Sequence, residues 1–193
     1  MSSQFEEDAI LDRLFTRIGV TNTVAVECGA RDGIGKSNTH QFRARGWTCV
    51  LLDSHPQAPV VQKAFLTAEN IQQTFRAQQV PATFDLLSID VDGNDFYLWK
   101  ALTDFRPRVV VIEYNSRFAP SERVVMAYSP THRWDGTDYY GASAAALVAL
   151  GREGGYSLVD YTRANLVFVK DEAWLPPRAP YGYPPGRGRW EVY

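Results

Sequence analysis

"FDLLSIDVDGNDFYLWKAL", residues 84–102, changes pattern in its middle. From Phe84 to Asp90 the apolar residues crowd together rather than alternating, as in a strand buried on both faces of a parallel sheet. "FYLWKALTDF" reads as a helix, with Pro107 barring its continuation. Between the two stand Asp90, Asp92, Asn94 and Asp95, around Gly93, which permits a tight turn. These polar residues are a metal site, a cofactor clamp, catalytic acids or the cap of the helix. Asn94 and Asp95 stand where a helix start needs acceptors and favours negative charge, so they read as a cap. Asp90 and Asp92 still belong to the strand end and keep the functional reading.

The same strand-then-helix step recurs on both sides. "TVAVEC" (Thr23 to Cys28) and "TCVLLD" (Thr48 to Asp53) are short apolar runs that flank a Gly-rich turn and a short polar segment, Ser37 to Arg45, which together make a βαβ unit. A weaker strand, "KAFLTA" (Lys63 to Ala68), precedes a helix from Asn70 to Gln79. "RVVVIEYN" (Arg108 to Asn115) is a fifth buried strand. An amphipathic helix from Phe5 to Ile18 opens the chain, and another runs from Ala142 to Glu153 until Gly154 and Gly155 stop it. "YSLVDY" (Tyr156 to Tyr161) and "NLVFVK" (Asn165 to Lys170) are so close that they pair antiparallel. The expected architecture is an open, mostly parallel seven-stranded Rossmann-like α/β sheet with helices on both faces and a C-terminal antiparallel hairpin. Residues 1–175 form one domain, and the proline- and glycine-rich residues 176–193 form an extension.

Composition narrows the function. With 193 residues, 45% of them hydrophobic, the chain can bury one substantial core. A net charge of -2 lacks the basic footprint of a nucleic-acid binder. No apolar run is long enough for a membrane span, and the acidic, amphipathic start does not resemble a signal peptide, so the expected compartment is the cytoplasm. Cys28 and Cys49 lie in strand-like runs and read as buried thiols rather than a disulfide or zinc site. The partner expected is a small molecule, with homo-oligomerisation left open.

Ligands of open α/β sheets bind beyond the carboxyl ends of the strands. Four strands here end in acids or their amides: Glu27, Asp53, Asp90 with Asp92, and Glu113 with Asn115. The first turn carries Gly29, Gly33 and Gly35 around Arg31, a poor fit to the G-x-G-x-x-G that brings backbone against a pyrophosphate. An acid-x-Gly-x-x-x-Gly turn fits better. Asp53 stands about 20 residues beyond, where a carboxylate accepts from a ribose diol, unless it only caps the turn before Pro56.

"VECGARDGIGKSNT", "VLLDSHP", "FDLLSIDVDGNDFYLWKAL", "VVVIEYN" and "YGASAAALVALGREGGYSLV" resemble the class I S-adenosylmethionine-dependent methyltransferases, most closely the FkbM-like group, over Val24 to Val169. The resemblance implies S-adenosylmethionine as cofactor and O-methylation of a hydroxyl on a small natural product or sugar. It places Glu27 and Gly29 beside the methionine part, with Arg31 and Gly33 in the same binding turn. Asp53 would hold the ribose, Glu69 or Asn70 would lie beside the adenine, and Asp90 would sit near the reactive end. Relatives often carry glutamate where Asp92 stands.

A hydroxyl nucleophile must lose its proton, to a general base or with the help of a metal. Neighbouring strands lie about 4.8 Å apart, so Asp90 or Asp92 and Glu113 or Asn115 can converge on a hard cation such as Mg2+. That layout partly resembles divalent-cation-dependent catechol and macrolide-sugar O-methyltransferases. His132, in the aromatic insertion "SPTHRWDGTDYYGAS", is the candidate base, with Asp138, Tyr139 and Tyr140 available for binding. His40 reads as a surface residue and His55 as a ribose neighbour or a turn residue. Two other classes stay open: an NAD-dependent oxidoreductase, which the Asp53 signal also suits, and a non-catalytic nucleotide-binding module of the same fold.

Overall fold

The computed structural model describes residues 3–174; the extension expected at 176–193 lies outside them. Twelve elements follow in chain order: α1 (Glu7–Ile18), β1 (Val24–Cys28), α2 (His40–Ala44), β2 (Thr48–Asp53), β3 (Gln62–Lys63), α3 (Ile71–Ala77), β4 (Thr83–Ile89), α4 (Asp95–Ala101), β5 (Arg106–Glu113), α5 (Ala144–Glu153), β6 (Tyr156–Tyr161) and β7 (Asn165–Lys170). They build one seven-stranded sheet in the order β3-β2-β1-β4-β5-β7-β6. β1 to β5 are parallel, β7 runs antiparallel to β5, and β6 pairs antiparallel with β7. This is the expected Rossmann-like sheet with its terminal hairpin.

The crowded apolar residues of the central strands divide between two cores, because successive side chains point to opposite faces. Val26, Leu87, Ile89, Val110 and Ile112 pack with Phe75 of α3, Leu98 and Trp99 of α4 and Leu147 of α5. Ala25, Leu86, Val109 and Val111 pack on the other face with Ile10, Leu11, Leu14 and Phe15 of α1 and Phe42 of α2. Burying both faces of β4 and β5 requires apolar residues at consecutive positions, which is why no alternation is visible there. Cys28 and Cys49 are free thiols, the first buried and the second partly so. No helix among the described residues is long and apolar enough to cross a membrane.

Two elements differ from expectation. Only Gln62 and Lys63 pair with β2, opposite Leu52 and Asp53. The chain then leaves the sheet: Leu66 is buried, and Asn70 Oδ1 accepts from the Thr67 amide to close a turn before α3. Helix α4 stops at Ala101, well short of Pro107, which is instead the second residue of β5, opposite Phe84. Its carbonyl accepts the Tyr156 hydroxyl hydrogen bond at 2.8 Å.

Candidate functional site

β1 and β4 are neighbours, and their ends meet without room for a side chain. The Asp90 amide donates to the Cys28 carbonyl at 2.9 Å. Gly29 follows at φ 92°, a backbone conformation that favours glycine, and a Cβ there would overlap the Asp90 carbonyl oxygen. The chain turns away from both strands at this point and opens a cavity of about 640 Å³. It is lined by the ends of β1, β2, β4 and β5, the loop after β1, residues 64–66 after β3, and the insertion that carries His132.

The loop after β1 is held from below by Glu27. This carboxylate is buried; it accepts from the Ser37 hydroxyl at 2.6 Å, the Thr39 hydroxyl at 2.5 Å and the Asn38 amide at 2.8 Å. Burial raises its pKa, against the pull of these hydrogen bonds. Glu27 does line the cavity, but its main work is to pin the loop that would hold a ligand. Asp53 braces the same loop from β2: its Oδ2 accepts from the Arg31 amide at 2.8 Å and its Oδ1 from the His55 amide at 2.6 Å. Each oxygen retains a second lone pair, so the strand-end turn and a ligand diol can share this carboxylate.

The opening residues of α4 divide differently from a simple cap. Asp95, fully buried, accepts from the Val91 amide at 2.8 Å and the Gly93 amide at 2.9 Å, clamping the turn after β4. Asp92, at the centre of that turn, has φ 54°, a left-handed conformation that Asp adopts more readily than most residues. Asn94 occupies the N-cap position but makes no side-chain capping bond. Its amide donates instead to the Ser129 carbonyl at 2.8 Å, fastening the insertion across the cavity.

Asp90, Asp92 and Glu113 converge as the neighbouring-strand argument expects. One carboxylate oxygen from each lies within 4.8 Å of the others. Burial pushes Asp90 up to about 8, with Asp95, Asp92 and Glu27 adding to the rise. Burial, followed by the charges of Asp90, Asp95 and Asp92, pushes Glu113 up to about 10. Glu113 Oε2 is a buried oxygen with no hydrogen-bond partner. Lys36 favours the charged forms of all three acids, and Arg31 that of Asp92.

Asn115 is not part of this group, which corrects its expected place among the metal ligands. Its amide donates to the carbonyls of Asp138 and Tyr140 at 3.0 and 3.1 Å, and its Oδ1 accepts from the Arg117 amide at 3.2 Å. Those bonds tie both ends of the insertion together. Glu69 and Asn70 do not line the cavity, which corrects their expected place beside an adenine. Glu69 accepts from the Tyr128 hydroxyl and Asn70 donates to the Phe65 carbonyl, so both follow the chain away from the sheet. Phe65 and Leu66 line the cavity in their stead. Gly33 is likewise off the lining; a Cβ there would press on Leu51. Arg31 lines the cavity, with φ 50° and its carbonyl accepting from the Gln57 amide.

His132 lines the cavity beside Asn94, and its Nε2 is buried without a partner. Tyr140 lines it too, whereas Asp138 and Tyr139 do not. The insertion reaches across the opening to the β2 side, where the Arg133 guanidinium stacks over the Phe65 ring at 4.8 Å. Sequence reasoning passed over Lys36, Phe65, Leu66 and Gln4, all of them lining residues. Lys36 follows directly on the "GIG" of the turn, the one local signal among them.

The chain folds as an open Rossmann-like α/β domain with a cavity at the carboxyl edge of the sheet, the edge where such sheets bind ligands. No protein-family model matches the chain, and no curated protein matches it. Among solved structures it is similar to magnesium protoporphyrin IX methyltransferase from Synechocystis PCC 6803 with bound SAH. The identity is 11%, the match covers 85% of this chain and 81% of that one, and the TM-score is 0.46.

Proposed function

We propose that the protein is a methyltransferase that uses S-adenosylmethionine to methylate a hydroxyl of a small acceptor, a natural product or a sugar. One observation carries this reading. The loop after β1, Asp53 and the Asp90, Asp92, Glu113 trio surround a single cavity, with His132 on its insertion side. The cofactor, when bound, supplies a methyl group on a positively charged sulfur. The protein's own groups suit each part of it. Asp53 keeps lone pairs for a ribose diol, Phe65 and Leu66 offer apolar surface to a base, and a positive charge beside the trio would favour the ionised forms that burial disfavours. His132 would take up the proton that the acceptor hydroxyl loses while the methyl carbon exchanges its bond to sulfur for one to oxygen, leaving S-adenosylhomocysteine. Positioning of the two reactants within the cavity would provide most of the acceleration.

A divalent cation is a second element of this proposal. Asp90, Asp92 and Glu113 are hard oxygen donors, and Glu113 Oε2 has no hydrogen-bond partner that a cation would have to displace. There the cation would acidify a bound hydroxyl and share the task assigned to His132.

Isothermal titration with S-adenosylmethionine, S-adenosylhomocysteine and NAD, each with Mg2+ and with EDTA, tests both elements. Binding of NAD alone overturns the reading in favour of an oxidoreductase, and binding of none overturns it outright. Asp53→Ala is expected to abolish the response to both S-adenosyl compounds. Mn2+ titrated by electron paramagnetic resonance should bind the wild type and not Glu113→Gln; equal binding removes the cation from the proposal.

A further inference from the structure

The first-turn acids of α1 serve the residues before the helix. Glu7 is fully buried, and its Oε1 accepts from the Thr162 hydroxyl at 2.6 Å and from Asn165 Nδ2 at 2.9 Å. Its Oε2 accepts from the Phe5 amide at 2.8 Å. Asp8 works on the same turn: its Oδ2 accepts from the Ser3 amide at 3.3 Å, and its own amide donates to the Ser3 hydroxyl at 3.1 Å. A buried carboxylate is costly unless it is well bonded, and here the bonds fix residues 3–6 in one place.

That place is defined from two directions. Asn165 stands opposite Glu113 in the pairing of β5 with β7, so Glu7 ties the turn to the Glu113 end of the sheet. The Asp8 carbonyl accepts from Gln41 Nε2 at 2.9 Å, which ties the turn to α2 and the loop after β1. Gln4 is set between them, an exposed side chain in the wall of the cavity that also contains Lys36, Ser37 and Glu113. Asp53 is at the far end, on β2, with β1 and β4 lying between β2 and β5.

We propose that residues 3–6 form a fixed wall over the Lys36–Glu113 end of the cavity, and that the Gln4 amide hydrogen-bonds the amino-acid part of the S-adenosyl ligand. The proposal rests on the functional reading above. With the ribose at Asp53, the methionine part extends toward this end. A primary amide both donates and accepts, which matches a group carrying an ammonium and a carboxylate side by side. Glu7 is a positioning residue: it touches no ligand and holds Gln4 in reach.

The test compares S-adenosylhomocysteine with 5′-methylthioadenosine, which keeps the nucleoside and lacks the amino-acid part. Isothermal titration of Gln4→Ala should show an affinity for S-adenosylhomocysteine about five- to tenfold weaker than wild type, the scale of one hydrogen bond, with methylthioadenosine binding unchanged. Glu7→Gln should give the same selective loss with Gln4 intact. Undiminished binding of S-adenosylhomocysteine by Gln4→Ala, or an equal loss for both nucleosides, overturns the role of Gln4 while the methyltransferase reading stands. Failure of the wild type to bind either nucleoside overturns that reading, and this inference with it.

Discussion

The imidazole of His132 occupies the space that a side chain on Gly93 would fill: a Cβ there would lie 2.8 Å from His132 Nε2 and would overlap Cδ2. Gly93 is not among the residues at positive φ, so its backbone accepts alanine and only the histidine must move. Gly93→Ala is expected to cost about 1–3 kcal/mol, as overpacking does, and a second change, His132→Ala, should recover part of it. Urea denaturation of the four proteins measures this as a coupling of about 1 kcal/mol. Simple additivity would mean that the ring does not sit over Gly93 in solution.

At Gly29 the outcome is harsher. Its φ is positive, and the obstacle to a Cβ is the Asp90 backbone rather than a mobile side chain. Gly29→Ala must pull apart the ends of β1 and β4, where the Asp90 amide meets the Cys28 carbonyl. A loss of about 3 kcal/mol or more in urea denaturation is expected, together with loss of S-adenosylhomocysteine binding.

These two glycines mark how far the sequence could be read. The paired apolar runs and the closeness of β6 to β7 revealed the sheet, because two-sided burial and short connections leave local traces. The convergence of Asp90, Asp92 and Glu113 was legible too, since it follows from two adjacent parallel strands ending level, Ile89 opposite Ile112. Asn115 was misplaced because its fate depends on an insertion that folds back over the strand end. Glu69 and Asn70 were misplaced because β3 breaks off after two residues, which the run "KAFLTA" does not betray. The bracket formed by Glu7 joins residues more than 150 positions apart, and nothing local announces it.

The opposite edge of the sheet offers a control. Asp85 is fully buried beside Arg108, their side chains 2.7 Å apart, and also accepts from the amides of Thr21, Asn22 and Thr23. Burial would raise its pKa, but Arg108 and these amides outweigh it and hold the carboxyl below its ordinary value. Asp85→Asn leaves the guanidinium without its charge partner and should cost about 3 kcal/mol in urea denaturation. S-adenosylhomocysteine affinity should be unchanged, because the pair lies at the amino end of the strands, away from the cavity.

The trio itself predicts a pH dependence of the opposite sign to Asp85. Glu113 in the folded, ligand-free protein titrates near 10, against an ordinary value of 4.5, because burial and the neighbouring carboxylates disfavour its charge. The folded state therefore holds this proton more tightly than the unfolded chain does. The resulting stability is complete below pH 4.5 and drains away as the pH rises toward about 10. Thermal unfolding in EDTA should thus give a midpoint that falls between about pH 6 and about pH 9, and Glu113→Gln should flatten that slope and be the more stable protein at its alkaline end. Magnesium should act against the slope, because it must displace the proton to bind and so stabilises more as the pH rises. A midpoint in EDTA that instead rises through this range would mean that Glu113 is already ionised in the folded protein, with some cation-like partner satisfying Oε2.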